Sequence, residues 1–153
     1  LADKWGAKNI RAYGWLPAIA IGICLPVVLA SFWVTTVWAH LACATLFLLF
    51  LGIYLGPSFA IAQTLAPVNM RAMSTALFFF IINMIALGGG PTFAGWLIDV
   101  FKDGHSDLQA MRYAMSVTCL MFIPSIISFL VVSRVLPKDW AAAEKRNQAI
   151  KGE

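Results

Sequence analysis

Charged residues along this chain are separated by long stretches that contain none. No Asp, Glu, Lys or Arg occurs at positions 12–70, 72–98 or 113–133, which are stretches of 59, 27 and 21 residues. Roughly 20 apolar helical residues cross a bilayer core of about 30 Å. The first stretch would form a rod of about 88 Å at about 1.5 Å per residue, so we expect it to fold back once. The pattern therefore predicts four transmembrane helices.

Prolines and polar segments divide these stretches into helices. Pro67 cannot continue a helix and separates the second from the third. The polar segment 101–107 separates the third from the fourth. The tail after Pro137 is rich in alanine and charge, which predicts a short surface helix that then frays. The predicted helices are 12–33, 36–65, 71–100 and 108–135, with a loop at 1–11 and a C-terminal tail at 136–153.

Composition and charge agree with a membrane location. Of the 153 residues, 61% are hydrophobic and 12% are charged, whereas a soluble domain carries about 25% charged residues. In this arrangement nine Lys and Arg residues fall on one side of the membrane and two, Lys102 and Arg112, on the other. Because basic loops stay inside, we expect both ends in the cytoplasm and the protein in the cell inner or plasma membrane. This bias explains the net charge of +4 without a nucleic-acid partner.

The N-terminal segment carries a charged motif. It reads LADKWGAK at 1–8 and resembles the cytoplasmic loop motif G-x-L-A-D-[RK]-x-G-[RK]-[RK] of the major facilitator superfamily. Ala7 stands where one basic residue is expected. The carboxylate of Asp3 can interact with the positive end of a neighbouring helix. The basic side chains of this segment can interact with carboxylates or anionic lipid. Alternatively, these basic side chains only set the topology. The candidate cytoplasmic gate residues are Asp3, Lys4, Lys8, Arg11 and Arg71.

Small residues recur at helical spacing in the second and third helices. The second carries a glycine–alanine stripe with a proline that should kink the helix. The third carries GGGPTFAGWLID at 88–99, and such glycines are costly in a membrane helix unless the backbone is used for close packing or bending. No strand precedes them and no Lys-Ser/Thr follows, which excludes a nucleotide loop. The candidate packing and hinge residues are Gly52, Gly56, Pro57, Gly88, Gly89, Gly90, Pro91 and Gly95.

Four features together resemble the last four helices of the major facilitator superfamily. They are the charged loop, the Gly-Pro helix, the start of the third helix at Met70-Arg71-Ala72, and its end with the pattern G-P-x-x-x-G-x-x-x-D. Four helices would also fit its third to sixth, but the short charged tail favours the last four. The third-helix segment is most similar to the spinster-like branch. The resemblance implies an all-α membrane protein. Its four helices would form part of the C-terminal six-helix bundle of a twelve-helix fold, with the second and third lining the cavity.

For function, the resemblance implies secondary active transport by alternating access, with proton coupling and lysophospholipid or sphingoid-phosphate-like substrates. A multidrug or organic-anion transporter is the alternative within the superfamily, and a small four-helix membrane scaffold subunit is the alternative of another class. The predicted spans hold no charged side chain in their interior, so any proton-coupling group is expected elsewhere in the protein. The candidate cavity residues are Tyr54, Ser58, Phe79, Asn83 and Thr92. Helix-to-helix hydrogen bonding for Tyr54 and Asn83, and packing for Phe79, remain alternatives.

No pattern indicates catalysis, a metal site or a cofactor. Cys24, Cys43 and Cys119 lie in predicted spans without C-x-x-C spacing, which favours small packing residues. No cluster of His, Cys and carboxylates occurs within the spans. We therefore expect no enzyme. The expected partners are membrane lipid, the N-terminal remainder of the same transporter, and an amphiphilic lipid or organic ion.

Overall fold

Helices account for nearly all of the structure, a computed structural model that describes residues 9–151 and the side chains of residues 9–149. No strand occurs among these residues. A 3-10 turn at Val68–Met70 precedes the third α-helix, and a π-helical segment at Met84–Gly89 follows it. The α-helices are α1 (Ala12–Trp33), α2 (Val37–Leu65), α3 (Arg71–Asn83), α4 (Gly90–Lys102), α5 (Asp107–Cys119) and α6 (Phe122–Lys151).

Within residues 9–151, four helical segments are long and apolar enough to cross a membrane. The first two are α1 and α2. The third runs over Val68–Lys102 and includes α3, the π-helical segment and α4, and the fourth runs over Asp107–Ala149 and includes α5 and most of α6. The prediction of an all-α chain with four membrane-length helices is therefore confirmed, and it is consistent with an integral membrane protein.

The turn between α2 and α3 is set by Pro67. The residue before it, Ala66, has an extended backbone with φ −78° and ψ 147°, because the ring of a following proline disfavours the helical conformation. The Met70 N–H then donates to the Pro67 carbonyl oxygen at 2.9 Å. This hydrogen bond closes the 3-10 turn from which α3 begins.

The fourth span differs from its prediction at two places. The helix tightens after α5, where the Ile123 N–H donates to the Leu120 carbonyl oxygen at 3.0 Å, because Pro124 has no N–H to offer that carbonyl. Beyond this point α6 continues through Pro137 as one helix. The sequence predicted that the fourth helix ends near 135 and that a separate short surface helix follows. The continuous helix has a physical reason, since its C-terminal part packs against α1 and α2.

Helix α1 is the centre of the packing and contacts α2, α5 and α6. Small residues let helix backbones approach closely in lipid, where van der Waals packing replaces the hydrophobic effect as the driving force. The clearest case is Gly14, where a Cβ atom would lie 2.6 Å from Cβ of Ser133. The α1 and α6 backbones therefore meet at a point where no side chain fits. The buried residues of α1 are Ala12, Gly14, Pro17, Ala18, Ala20, Ile21, Cys24 and Ser31.

The start of α1 and the C-terminal part of α6 lie at the same end of the bundle, which we call the terminal end. The ring of Tyr13 stacks on that of Trp140, with centroids 5.4 Å apart and planes inclined by 21°. At the opposite end, Tyr113 of α5 joins α1 and the loop after α4. Its ring centroid lies 5.8 Å from that of Trp33 and 5.2 Å from that of His105. These aromatic contacts anchor the first span to the fourth at both ends.

Two polar contacts link α1 to α2. Sγ of Cys24 donates to the carbonyl oxygen of Phe47 at 3.8 Å, and Nδ1 of His40 lies 3.0 Å from the carbonyl oxygen of Ser31. Residues seven apart lie on the same helix face, so Tyr54 is on the face of α2 that carries Phe47. The contacts therefore direct the Tyr54 face towards α1.

The third span has the least packing. Its main contacts outside itself are those of α3 with α2 and of α4 with α5. No residue in the most apolar part of this span is buried, and no residue in the most apolar part of α2 is buried either. Large side chains along the third span, such as Leu77, Phe80 and Leu87, are exposed. The first span thus forms the core of the described chain, and the second and third present open apolar faces.

Candidate functional site

The third span changes its helix type where three glycines precede a proline. Residues Met84–Gly89 form π-helical turns. Pro91 explains the change, because it has no N–H for the Leu87 carbonyl and its ring would collide with that carbonyl in a regular α-helix. A π-helical turn accommodates one extra residue and shifts the hydrogen-bond register. The α-helix resumes at Gly90, whose N–H donates to the Ala86 carbonyl.

Two candidate cavity residues flank the π-helical segment, and each is hydrogen-bonded to its own helix. Nδ2 of Asn83 donates to the Phe79 carbonyl oxygen at 2.8 Å, and Oγ1 of Thr92 donates to the Gly88 carbonyl oxygen at 2.9 Å. Bonds of this kind satisfy a polar group locally and often bend a helix. Both side chains are exposed, so a ligand or another helix can reach them.

The glycines predicted to pack or bend have open space around them. A Cβ atom at any of six of them would meet nothing within 4 Å, and these are Gly52, Gly56, Gly88, Gly89, Gly90 and Gly95. The stripes on α2 and the third span therefore do not pack against another helix of the described chain. Pro57, in contrast, is fully buried within α2. The packing role of the glycines stays a prediction that needs a partner outside residues 9–151.

Tyr54 lines an apolar cavity of about 180 Å³ between α1, α2 and α6. The rings of Phe47 and Phe122 stack beside it with centroids 6.3 Å apart. One turn further along α2, the hydroxyl of Ser58 donates to the Tyr54 carbonyl oxygen at 2.8 Å. An apolar protein cavity of about 150 Å³ is large enough for benzene, so this one admits part of a hydrocarbon chain. Its lining residues are Ile21, Cys24, Leu51, Tyr54, Phe122, Ser125 and Phe129.

The five candidate cavity residues do not come together in one cavity of the described chain. Tyr54 and Ser58 belong to α2, and the cavity at Tyr54 contains no residue of the third span. The ring of Phe79 instead packs on that of Phe59, with centroids 4.5 Å apart, where α3 meets α2. The α1 and α6 side of the Tyr54 cavity was not predicted from the sequence. The only available signal was the apolar run of each helix, which does not say which face meets which.

A second cavity lies at the terminal end, between α6 and the turn that joins α2 to α3. Its volume is about 340 Å³, and it is lined by Thr64, Val68, Arg71, Trp140, Glu144, Asn147 and Gln148. Arg71, a candidate gate residue, is the first residue of α3. Arg11, another candidate, directly precedes α1 and is exposed. The remaining candidates Asp3, Lys4 and Lys8 lie outside the described residues.

The C-terminal part of α6 holds the ends of α1 and α2 together. Besides the stack of Trp140 on Tyr13, the guanidinium of Arg146 donates to the carbonyl oxygen of Leu65, the last residue of α2. A cation at this position satisfies a carbonyl that has no partner within the helix and opposes the negative end of the helix dipole. The buried residues of this part of α6 are Leu136, Ala143 and Asn147.

The hydrogen bond of Arg146 leads to a prediction about the tail. Arg146→Ala should weaken the docking of α6 by about 1 kcal/mol, the usual net contribution of a hydrogen bond. Amide hydrogen exchange at residues 138–149 should then accelerate roughly fivefold. Lys145→Ala is the matched control, since it removes the same charge from an adjacent exposed position. Equal exchange rates in the two variants would mean that the Arg146 bond contributes nothing to docking.

Neither of two comparisons identifies a related protein: no family model matches the chain, and no curated protein matches it significantly.

Within the described residues, the candidate functional site has three parts. They are the π-helical segment with its exposed polar flanks, the apolar cavity at Tyr54, and the polar cavity at the terminal end.

Proposed function

We propose that this chain is part of a secondary active membrane transporter that works by alternating access. Its four spans would belong to the C-terminal six-helix bundle of a twelve-helix major facilitator fold, of the spinster-like branch. The transported molecules would be lysophospholipid-like or sphingoid-phosphate-like amphiphiles, moved with proton coupling. The observation that carries the proposal is the π-helical segment in the middle of the third span.

Helices that line the central site of a secondary transporter are typically interrupted near the middle of the membrane, where the backbone departs from a continuous α-helix. The π-helical segment supplies such a place, because its hydrogen bonds deviate from the α-helical pattern and its last two residues, Gly88 and Gly89, have no side chains to oppose bending. π-helical turns occur frequently at functional sites. The exposed polar groups of Asn83 and Thr92 on either side offer hydrogen bonds to a passing molecule. These features support a moving, cavity-lining role for the third span.

The chemistry of the spans supports an amphiphilic substrate. Positions 12–70, 72–98 and 113–133 contain no charge, and the cavity at Tyr54 is apolar enough for a hydrocarbon chain. Charged groups for the substrate head and for the proton would come from the remainder of the transporter. On this proposal, the excess of Lys and Arg at the terminal end faces the cytoplasm, and Arg71 acts at the cytoplasmic gate.

Transport by the complete protein in liposomes tests this proposal. We expect a proton gradient to drive the movement of a lysophospholipid or a sphingoid phosphate, and we expect collapse of the gradient to stop it. Arg71→Ala should slow transport roughly fivefold without affecting membrane insertion, since about 1 kcal/mol shifts the balance between two access states to that extent. Lys102→Ala, at the opposite end, is the control.

Three results would change the assignment. Failure to move any lysolipid or sphingoid compound would reject the spinster-like version. Movement of organic anions or unrelated drugs that lysolipids do not inhibit would select the multidrug alternative. A four-helix protein that moves none of these compounds would be a scaffold subunit.

A further inference from the structure

The cavity at the terminal end contains a buried polar side chain that lacks a partner. Asn147 is only 8% exposed, and its Oδ1 atom is buried without a hydrogen bond. A buried polar atom left in this state costs about 1–3 kcal/mol, and such atoms normally have a protein or water partner. Asn147 lines the cavity, so a rotation of its side-chain amide can turn Oδ1 towards a hydrogen-bond donor bound there.

Side chains of both charges line the same cavity. Arg71 contributes a guanidinium from α3, and Glu144 contributes a carboxylate from α6. These two do not pair with each other in the part of the chain that the structure describes. The first turn of α3 adds the positive end of a 13-residue helix. Gln148 and Thr64 provide groups that donate and accept.

We propose that this cavity binds a zwitterion that carries a primary ammonium group close to a phosphate. The ammonium donates hydrogen bonds to Oδ1 of Asn147 and to the carboxylate of Glu144. The phosphate accepts hydrogen bonds from the guanidinium of Arg71 and lies near the positive end of α3. The cavity volume of about 340 Å³ falls within the range of about 300–1,000 Å³ that is typical of small-ligand pockets.

Simpler ions fit this lining less well. An anion alone would satisfy Arg71 but would leave Asn147 Oδ1 without a donor and would be repelled by Glu144. A cation alone would satisfy the two acceptors but would face Arg71 and the positive end of α3. The required chemistry occurs in the aminoethyl phosphate head group of a phospholipid and in free aminoethyl phosphate. In either form, the bound group would bridge α6 and the first turn of α3.

Arg71 belongs to this site and to the proposed cytoplasmic gate, but the test does not depend on the transport proposal, because it measures binding alone. The full chain is placed in nanodiscs that contain equal small fractions of three phospholipids, whose head groups are aminoethyl phosphate, choline phosphate and glycerol phosphate. The lipid that the protein retains is then identified by native mass spectrometry. Choline is the matched chemical control, since its quaternary nitrogen has no N–H for Asn147 Oδ1. We expect roughly tenfold preference for the aminoethyl lipid over both others.

Variants then assign the preference to the cavity. Glu144→Gln and Arg71→Gln should each reduce it about fivefold or more, because each removes one charge-assisted hydrogen bond. Asp139→Asn is the control, since it removes a carboxylate from the same helix at a position that does not line this cavity. Circular dichroism of each variant verifies folding, and the exposed positions of Glu144 and Arg71 make both replacements tolerable.

A second arm separates the two sources of the ligand. Free aminoethyl phosphate is titrated into protein in choline-lipid nanodiscs, and the side-chain amide resonance of Asn147 is followed by NMR. A saturable shift with the free compound means that the head group suffices, whereas retention of the lipid alone assigns the site to the membrane. Equal retention of choline or glycerol lipid, or an unchanged preference in Glu144→Gln, would overturn the proposal, as would binding in neither arm.

Discussion

Gly14→Ala is expected to force α1 away from α6 and to lower the stability of the bundle by about 1–3 kcal/mol, the typical cost of overfilling a packed site. The added Cβ would lie 2.6 Å from Cβ of Ser133 and 2.7 Å from the Cα and N atoms of the same residue. Ser133 is almost fully buried, and its backbone cannot rotate aside as the end of a flexible side chain can. The two helices must therefore separate.

Gly22→Ala provides the matched control on the same helix, because a Cβ at Gly22 meets nothing within 4 Å. Alanine also favours the α-helix over glycine by about 1 kcal/mol, so this variant should be at least as stable as the wild type. Thermal unfolding of the purified protein in detergent, followed by circular dichroism, measures both. If Gly14→Ala unfolded at the wild-type temperature, α1 and α6 would not meet at Gly14 and Ser133.

The second large effect is expected at the π-helical segment. The double replacement of Gly89 and Pro91 by alanine should convert it into regular α-helix and slow transport about tenfold or more. Alanine at 91 offers the Leu87 carbonyl the α-helical N–H that proline cannot supply, and it removes the ring that would collide with that carbonyl. Alanine at 89 favours the α-helix by about 1 kcal/mol and meets no steric obstacle, since nothing lies within 4 Å of its Cβ position. Stability should therefore be unchanged or higher.

Liposome transport and thermal unfolding together test this prediction, with Gly95→Ala in the regular helix α4 as the control. Faster transport or a wild-type rate in the double variant would remove the hinge role from the π-helical segment. Loss of stability together with transport would show that Gly89 packs against another helix of the complete transporter. The two measurements thus separate bending from packing, which the sequence left as alternatives for these glycines.

The sequence was informative about the third span because the signal there is local. Pro91 acts on the carbonyl four residues before it, and the preceding glycines offer no resistance, so a disturbed helix could be predicted without knowledge of its neighbours. The same holds for Pro67, which ends α2 through the conformation of the residue before it. In both places the physical cause and its effect lie within one or two helical turns.

Packing was harder to predict, as the glycines demonstrate. The regular stripe at Gly52 and Gly56 was the stronger pattern, yet those positions face open space in the described chain. A close helix contact instead involves Gly14, which belongs to no such repeat and where an added Cβ would lie 2.6 Å from Cβ of Ser133. A small residue makes close approach possible, but whether a second helix arrives depends on the faces of both. Glu144 and Asn147 were missed for the same reason, since a charged tail does not reveal the surface that it covers.

The number of membrane-length helices and the all-α character of the described residues were determined by the sequence alone. Dehydrating a charge in lipid is costly, and every backbone group there must be hydrogen-bonded within the protein, which a helix achieves within a single segment. A long uncharged segment therefore predicts a helix of membrane length. Only the tertiary structure decided that Gly14 meets Ser133 and that Asn147 shares a cavity with Arg71. These residues are far apart along the chain, and their contacts depend on the rotation and tilt of whole helices, which side-chain packing between helices sets.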